Sequence, residues 1–320
     1  MEAQGITAGH RRLGEDGEAI LSRLILALAA LIVIAGCGSG VDTDVPGYTL
    51  AFVRPEGPGI VGLWRLDADD SGETRTCDGL ASDGKVAFSP DGSRVAMVVR
   101  RDGQLDILGM NAHGGGGVRW LTDDPADDGD PSFSRDGSRI VFCSKRDGHA
   151  QIYVMNSDGS GETRVATSPG PTDDDTAPAF SWDGSEITFA STRDNGSGYT
   201  HIYVMNADGS GARQLTSGDG TYDTEPSFSP DDRQIVYASS SALGGDHDIW
   251  AVKSDGSHKV ALTSDWGDCR NPSYSPDGWT IMFSSDRRTV DMQVWMMRTD
   301  GTGRGRITEW GGAYPAWIDD

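Results

Sequence analysis

Apolar and polar residues alternate along this chain in short runs, not at helical spacing. Residues 131 to 167 show the pattern best. Pro131-Ser-Phe-Ser134 is followed by a polar turn at Arg135-Asp136-Gly137, the run Arg139-Ile-Val-Phe-Cys143 and a second turn at Lys145 to Gly148. Then come Gln151-Ile-Tyr-Val-Met155, a third turn at Ser157-Asp158-Gly159, and Thr163-Arg-Val-Ala166. Runs of four to six residues rich in β-branched and aromatic side chains, bounded by Asp-Gly, predict antiparallel strands joined by hairpins. Beyond the first 36 residues no stretch keeps a 3.6-residue apolar period, and glycine at 44 of 320 positions would interrupt one repeatedly. An all-β domain is expected.

The unit recurs. Its landmark aromatics, Phe88, Phe133, Phe180, Phe228, Tyr274 and Trp317, are spaced 45, 47, 48, 46 and 43 residues apart. A period in the forties predicts stacked four-stranded units, none of which can bury its apolar faces alone. The centres of the second strands line up as Phe52, Met97, Phe142, Phe189, Tyr237 and Phe283. Those of the third strands are Trp64, Ile107 or Leu108, Tyr153, Tyr203, Trp250 and Trp295. These side chains are expected to fill the space between adjacent sheets. Residues 48–76 supply strands two to four of a unit without its opening strand, and Tyr314–Ile318 supply an opening strand with nothing after it. The two fragments complete each other, which predicts a six-bladed β-propeller whose C-terminal strand joins the N-terminal blade and closes the ring.

Turn chemistry explains much of the acidity. The net charge is −22, and from residue 37 onward there are 14 Asp-Gly pairs, most at the hairpin positions, where Asp caps the backbone and Gly supplies positive φ. Such a surface repels phosphate backbones, so nucleic acid is excluded as a partner.

Residues 1–36 stand outside the repeat. Arg11, Arg12 and Arg23 precede an uncharged run from Leu24 to Gly36, the length of a signal-peptide core and short for a membrane-spanning helix. The run ends in Ile34-Ala35-Gly36-Cys37, which resembles the bacterial lipobox. That resemblance implies cleavage before Cys37, lipidation of its sulfur, and an exported lipoprotein held on the periplasmic or extracytoplasmic side of the cell envelope. More than one acyl chain gives stable anchoring. Residues 37–47 would be a short linker and 48–320 the propeller. Cys77, Cys143 and Cys269 show no metal-ligand spacing and leave their disulfide state open.

The recurring pattern P-S-F-S-P-D-G, I-x-F-x-S-x-R-D-G, I-Y-V-M-N-x-D-G-S-G and L-T resembles the TolB-type, WD40-like β-propeller repeat across residues 48–320. TolB carries an α/β domain ahead of its propeller, and residues 37–47 are too few for one, so the resemblance is to the propeller and not to TolB itself. In propellers of this kind the loops from strand four to the next strand one, and the hairpins from strand two to three, crowd one face around the channel. There stand Asp83, Asp128, Asp175 and Asp223, each three residues before the strand-one Pro or its equivalent. Arg101, Arg146, Arg193 and Arg287 stand four residues past the strand-two centre. Loop-to-loop ion pairs are the simplest reading. The functional alternative is calcium at the channel mouth, held by Asp128, Asp175 and Asp223, since clustered carboxylates suit that ion.

Tyr222, Trp266 and Trp310, with Tyr314, precede strand one in three successive units. They could form a platform for a sugar ring or a partner's apolar side chain, or pack the loops. His149, His201 and His247 all fall just before or at the start of strand three, but adjacent blades fan apart. Asp67 to Gly72 mimics the start of an EF-hand loop yet aligns with the strand three to four hairpin. No G-x-S-x-G, H-E-x-x-H or phosphate loop occurs. The expected function is a monomeric, non-enzymatic binding or scaffolding module for protein, peptide or glycan partners, with membrane contact through the lipid. The alternative is an enzyme resembling oligogalacturonate lyase, acting on acidic polysaccharide with a metal.

Overall fold

The computed structural model describes residues 48–319, apart from loop segments at 58–59, 67–71, 82–84, 114–115, 166–169, 171–172, 194–197, 219 and 309. The leader, Cys37, Asp83 and most of the EF-hand lookalike lie outside the described residues. The described strands form six four-stranded antiparallel sheets, blades 1 to 6 in chain order. The inner strands of blades 2 to 6 are Val86–Phe88, Asp128–Phe133, Asp175–Phe180, Tyr222–Phe228 and Cys269–Tyr274. Blade 1 takes Tyr48–Gly57, Ile60–Leu66 and Glu73–Ala81 from the start of the domain and Ala313–Asp319 from its end. The latter pairs with the former through Leu50 opposite Trp317 and Ala51 opposite Ala316, so the C-terminal strand closes the ring as expected.

Six apolar clusters hold the ring, one at each seam. Phe52, Met97, Phe142, Phe189, Tyr237 and Phe283 are all buried in them, within second strands that are buried almost continuously because both faces of the sheet are covered. The cluster of the closing seam joins Leu50, Phe52 and Trp317 of blade 1 to Met282, Val294 and Met296 of blade 6.

The repeat's polar letters have structural uses. In blade 3, Ser134 Oγ donates to Asp136 Oδ1 (2.6 Å), which also accepts the N–H of Ser138 (2.9 Å). These bonds hold the Asp136 carboxyl down at about 2. Gly137 completes the turn at φ 66°. The closing Thr of the L-T pair accepts, through Oγ1, the N–H of the third strand of its own blade. Thr122 takes Ile107, Thr216 takes Ile202, Thr263 takes Ile249 and Thr308 takes Val294, all at 2.8 to 3.0 Å. These buried donors would otherwise be unpaired, because the outer strands are only two residues long in blades 2 to 6.

One backbone feature shapes the channel. Immediately before the inner-strand proline, Asp130, Ala177, Glu225, Asn271 and Tyr314 adopt φ of 49 to 53°. Pairing slips at this point in each of the five strands. Such bulges re-aim side chains at the cost of a strained, left-handed residue.

Candidate functional site: the central channel

The inner strands enclose a cavity of about 230 Å³ to which all six blades contribute. Small residues one past the proline position line it: Ala87, Ser132, Ala179, Ser227, Ser273 and Ala316. At the bulge level a polar belt of Lys85, Glu225, Asn271 and Tyr314 reaches the cavity. Its other end lies among the hairpins between strands one and two, at Pro90, Arg135, Trp182 and Pro276.

The belt is tied across the seams. Glu225 Oε2 accepts the N–H of Asn271 at 2.7 Å, and Asp130 Oδ2 accepts that of Ala177 at 3.1 Å. Each carboxylate thus satisfies the strained residue of the next blade. Burial pushes the Glu225 carboxyl above its usual range, against the Asn271 N–H, Arg270 and Lys85, and nearby Asp130 adds to the rise. Burial likewise raises the Tyr314 hydroxyl, helped by Glu225 and Asp130. At the hairpin end the Arg135 guanidinium lies 4.2 Å over the Trp182 ring. The N–H groups of Trp182 and Asp183 donate to the two carboxylate oxygens of Asp232 at 2.6 and 3.1 Å.

The acidic residues singled out in the sequence sit elsewhere. Asp128, Asp175 and Asp223 are wholly buried, and Asp128 and Asp175 form ion pairs with arginine, the simpler of the two readings of these positions. Each lies at or next to the first residue of an inner strand; Asp128 and Asp175 meet the two-to-three hairpin of their own blade, whereas Asp223 meets Ser239 of its own blade and Thr216 and His201 of blade 4. Arg146 Nη2 donates to both oxygens of Asp128 at 3.1 and 3.2 Å, and Arg146 also pairs with Glu162. Asp175 pairs with Arg193 and accepts from Ser191 Oγ at 2.6 Å. Burial raises both carboxyls despite these partners. Among the described residues no arginine pairs with Asp223. Burial would raise it too, but His201 and the hydroxyls of Ser239 and Thr216, both at 2.5 Å, together hold it below its usual range.

Blade 6 lacks the carboxylate and repacks around the loss. Cys269 takes its place, and burial raises that thiol to about 12. Arg287, with no aspartate to meet at this position, lies 3.5 Å over the Trp266 ring. Arg304 approaches the same ring at 4.6 Å, and Trp295 meets it edge-on at 5.8 Å. Trp266 is therefore packed among its own neighbours. Tyr222 meets Tyr199 edge-on at 5.2 Å, whereas Trp310 is 75% exposed. The three aromatics have separate surroundings, Trp266 and Tyr222 packed against ring neighbours and Trp310 exposed.

The histidines do not converge. His201 Nδ1 stands 3.8 Å from Asp223, and His247 Nδ1 lies 3.1 Å from Asp268 Oδ1. Among the described residues no group of three or more His, Cys, Asp or Glu side chains is placed to hold a metal. Cys143 and Cys269 are free and buried.

Of the belt, sequence reasoning singled out Tyr314 alone. The available signal was the residue preceding proline in five of six units, a position already steered away from right-handed helix geometry. Lys85, Glu225, Asn271 and Tyr314 share no chemistry, so no residue type marked them.

This geometry agrees with the comparisons to known proteins. The sequence pattern of the TolB beta propeller domain matches residues 73–173 and 172–257. The chain belongs to the TolB β-propeller domain family. An uncharacterised protein of Agrobacterium fabrum, Atu1656, is 36% identical over 91 residues, 28% of this chain and 29% of that protein. The chain thus spans less than a third of this relative. TolB from Acinetobacter baumannii superposes with a TM-score of 0.66 at 21% identity, covering 85% of this chain and 67% of that one. A putative TolB from Agrobacterium tumefaciens gives 0.64 at 22%, covering 83% and 90%. Oligogalacturonate lyase in complex with manganese is more distant, at 0.53 and 14% identity over 78% of this chain and 73% of that one. At these identities the structural likenesses concern the fold.

Proposed function

We propose that this protein is a non-enzymatic binding module of the bacterial cell envelope, lipid-anchored through Cys37, whose channel receives a segment of a partner protein. The observation that carries the reading is the channel itself. Small side chains leave its wall open, a polar belt marks one end, and proline, Trp182 and Arg135 frame the other. A narrow cavity with few orienting polar groups suits an inserted peptide better than a broad polysaccharide chain. Membership of the TolB propeller family supports an envelope role, and the pattern from Arg11 to Cys37 supports export and anchoring. Asp128 and Asp175 are buried against Arg146 and Arg193, which favours structural pairing over a metal-dependent lyase.

The test is capture of envelope proteins by crosslinking to the full chain and to a Ser132→Trp variant, which fills the channel wall. Loss of a specific adduct with an unchanged melting temperature supports the reading. Undiminished crosslinking to the filled variant refutes channel binding. Metabolic labelling with palmitate, compared between the native chain and Cys37→Ala, tests the anchor separately.

A further inference from the structure

A second cavity, of about 460 Å³, opens at the seam between blades 2 and 3 and shares Phe133 with the wall of the central channel. One residue of its wall sets blade 2 apart. Blade 2 has Gly109 in its third strand, where blades 3 to 6 carry Val154, Val204, Ala251 and Met296. Glycine inside a strand gives up packing and marks close approach or a ligand site. A Cβ at Gly109 would come within 3.0 Å of the Leu121 side chain, so even alanine would crowd this wall. The other apolar contributions come from Val95, Met110, Val118, Leu121 and Phe133. Val118 is 58% exposed at the rim.

Two guanidiniums border this apolar space. Arg94 Nη1 donates to Ser157 Oγ at 2.7 Å and Nη2 to the Gly137 carbonyl at 2.6 Å, while Arg119 Nη2 donates to the Ser157 carbonyl at 3.3 Å. Their shared partner, Ser157, sets them side by side, and every one of these acceptors is neutral. Among the described residues neither arginine has a carboxylate within ion-pairing distance. The nearby carboxylates are held by their own hairpins, Asp91 by Ser89 and Ser93 and Asp158 by Ser160. In blade 3 the equivalent Arg139 also latches the next blade, through the Gly184 carbonyl, but beside Val154 in place of a glycine. The latch is common to the repeat, whereas the glycine beside it is particular to blade 2.

In a chain of net charge −22, Arg94 and Arg119 stand side by side on neutral hydrogen-bond acceptors, with Asp91 and Asp158 near enough to feel their charge but bonded to their own hairpins. We propose that the seam between blades 2 and 3 binds an amphipathic anion, its head on Arg94 and Arg119 and its apolar tail against Gly109, Leu121, Val118 and Phe133. The cavity lies within the size range of small-molecule pockets, roughly 300 to 1,000 Å³. The guanidinium fork accepts carboxylate and phosphate heads alike.

Isothermal titration of the full chain with dodecanoate, with dodecyl phosphate and with dodecyltrimethylammonium, each below its micellar concentration, tests the site. One-to-one saturation by at least one anion is expected, at least tenfold tighter than the cation, and the tighter anion identifies the head group. Arg119→Glu, on the exposed outer strand, should weaken it at least tenfold. Val118→Asp, on the exposed rim, should weaken it similarly without touching the core. Absence of saturation by either anion, equal binding of the cation, or native affinity in both Arg119→Glu and Val118→Asp would overturn the proposal.

Discussion

Glu225 and Asn271 meet across the seam between blades 5 and 6, the carboxylate of one accepting the backbone N–H of the other at 2.7 Å. The bond steadies a residue at φ 52°, but it holds an acid in a place where burial disfavours its charge. The folded-state pKa lies above the unfolded value of about 4.3. Stability from this group is complete below that value and is lost as pH rises through the folded pKa. A Glu225→Gln variant keeps an acceptor without the titration. It should melt about 2 °C above the native protein at pH 8, the shift about 1 kcal/mol would produce in a domain of this size, and no higher at pH 4. Calorimetry at the two pH values checks this; an equal difference at both would mean the proton is not involved.

The pair of Asp175 and Arg193 is buried on both sides. Removing one partner leaves an uncompensated charge, so Asp175→Ala should cost about 3 kcal/mol. Adding Arg193→Met should recover most of that loss, because the stranded charge goes with it. Urea unfolding of the two single variants and the double variant gives the coupling. Blade 6 is the natural comparison, since Arg287 has moved onto the Trp266 ring where Cys269 replaces the acid.

These two relationships show where the sequence was legible. Repeat spacing, Asp-Gly turns and unmatched ends were enough for six blades and for closure through Trp317, because each is a local or periodic signal. The Asp and Arg positions were equally visible, and pairing was their simplest reading. Their burial was not visible, because it depends on neighbouring elements closing over them. The belt was harder still: Ala177 and Tyr314 are unusual residues at positive φ, and only the packed ring imposes that conformation. Gly109 was readable by aligning third strands, where it breaks a row of larger residues.

Asp232 presents a choice between two opposed effects. Its own φ of 57° favours glycine, the residue at this hairpin position in blades 2, 3, 4 and 6, yet its carboxylate holds the Trp182 and Asp183 N–H groups of the neighbouring blade. Relief of the strained backbone is worth about 1 kcal/mol. Two bonds to a charged acceptor contribute about 1.5 to 3 kcal/mol each. Asp232→Gly should therefore destabilise the protein by at least about 1 kcal/mol, although it restores the repeat. Asp232→Ala should be worse, since it loses the bonds and keeps the strain. Chemical denaturation ranks the two, and a stabilising Asp232→Gly would show that the inter-blade bonds contribute little.

Trp317 reports on closure. It lies on the last strand, buried between blades 6 and 1 with Leu50, Phe52 and Met282, and its indole N–H donates to the Ser273 carbonyl at 3.4 Å. Truncating a buried tryptophan costs about 3 to 5 kcal/mol. Trp317→Ala should lower the melting temperature by on the order of 10 °C in a domain this size. Trp310, only seven residues earlier but 75% exposed, provides the control: Trp310→Ala should change stability by less than about 0.5 kcal/mol. Scanning calorimetry separates the outcomes. If the C-terminal strand closes the ring, Trp317→Ala weakens the seam through which both ends of the domain are joined, and the whole transition moves. A transition that splits, with the main part unmoved, would mean that the other five blades hold together without closure.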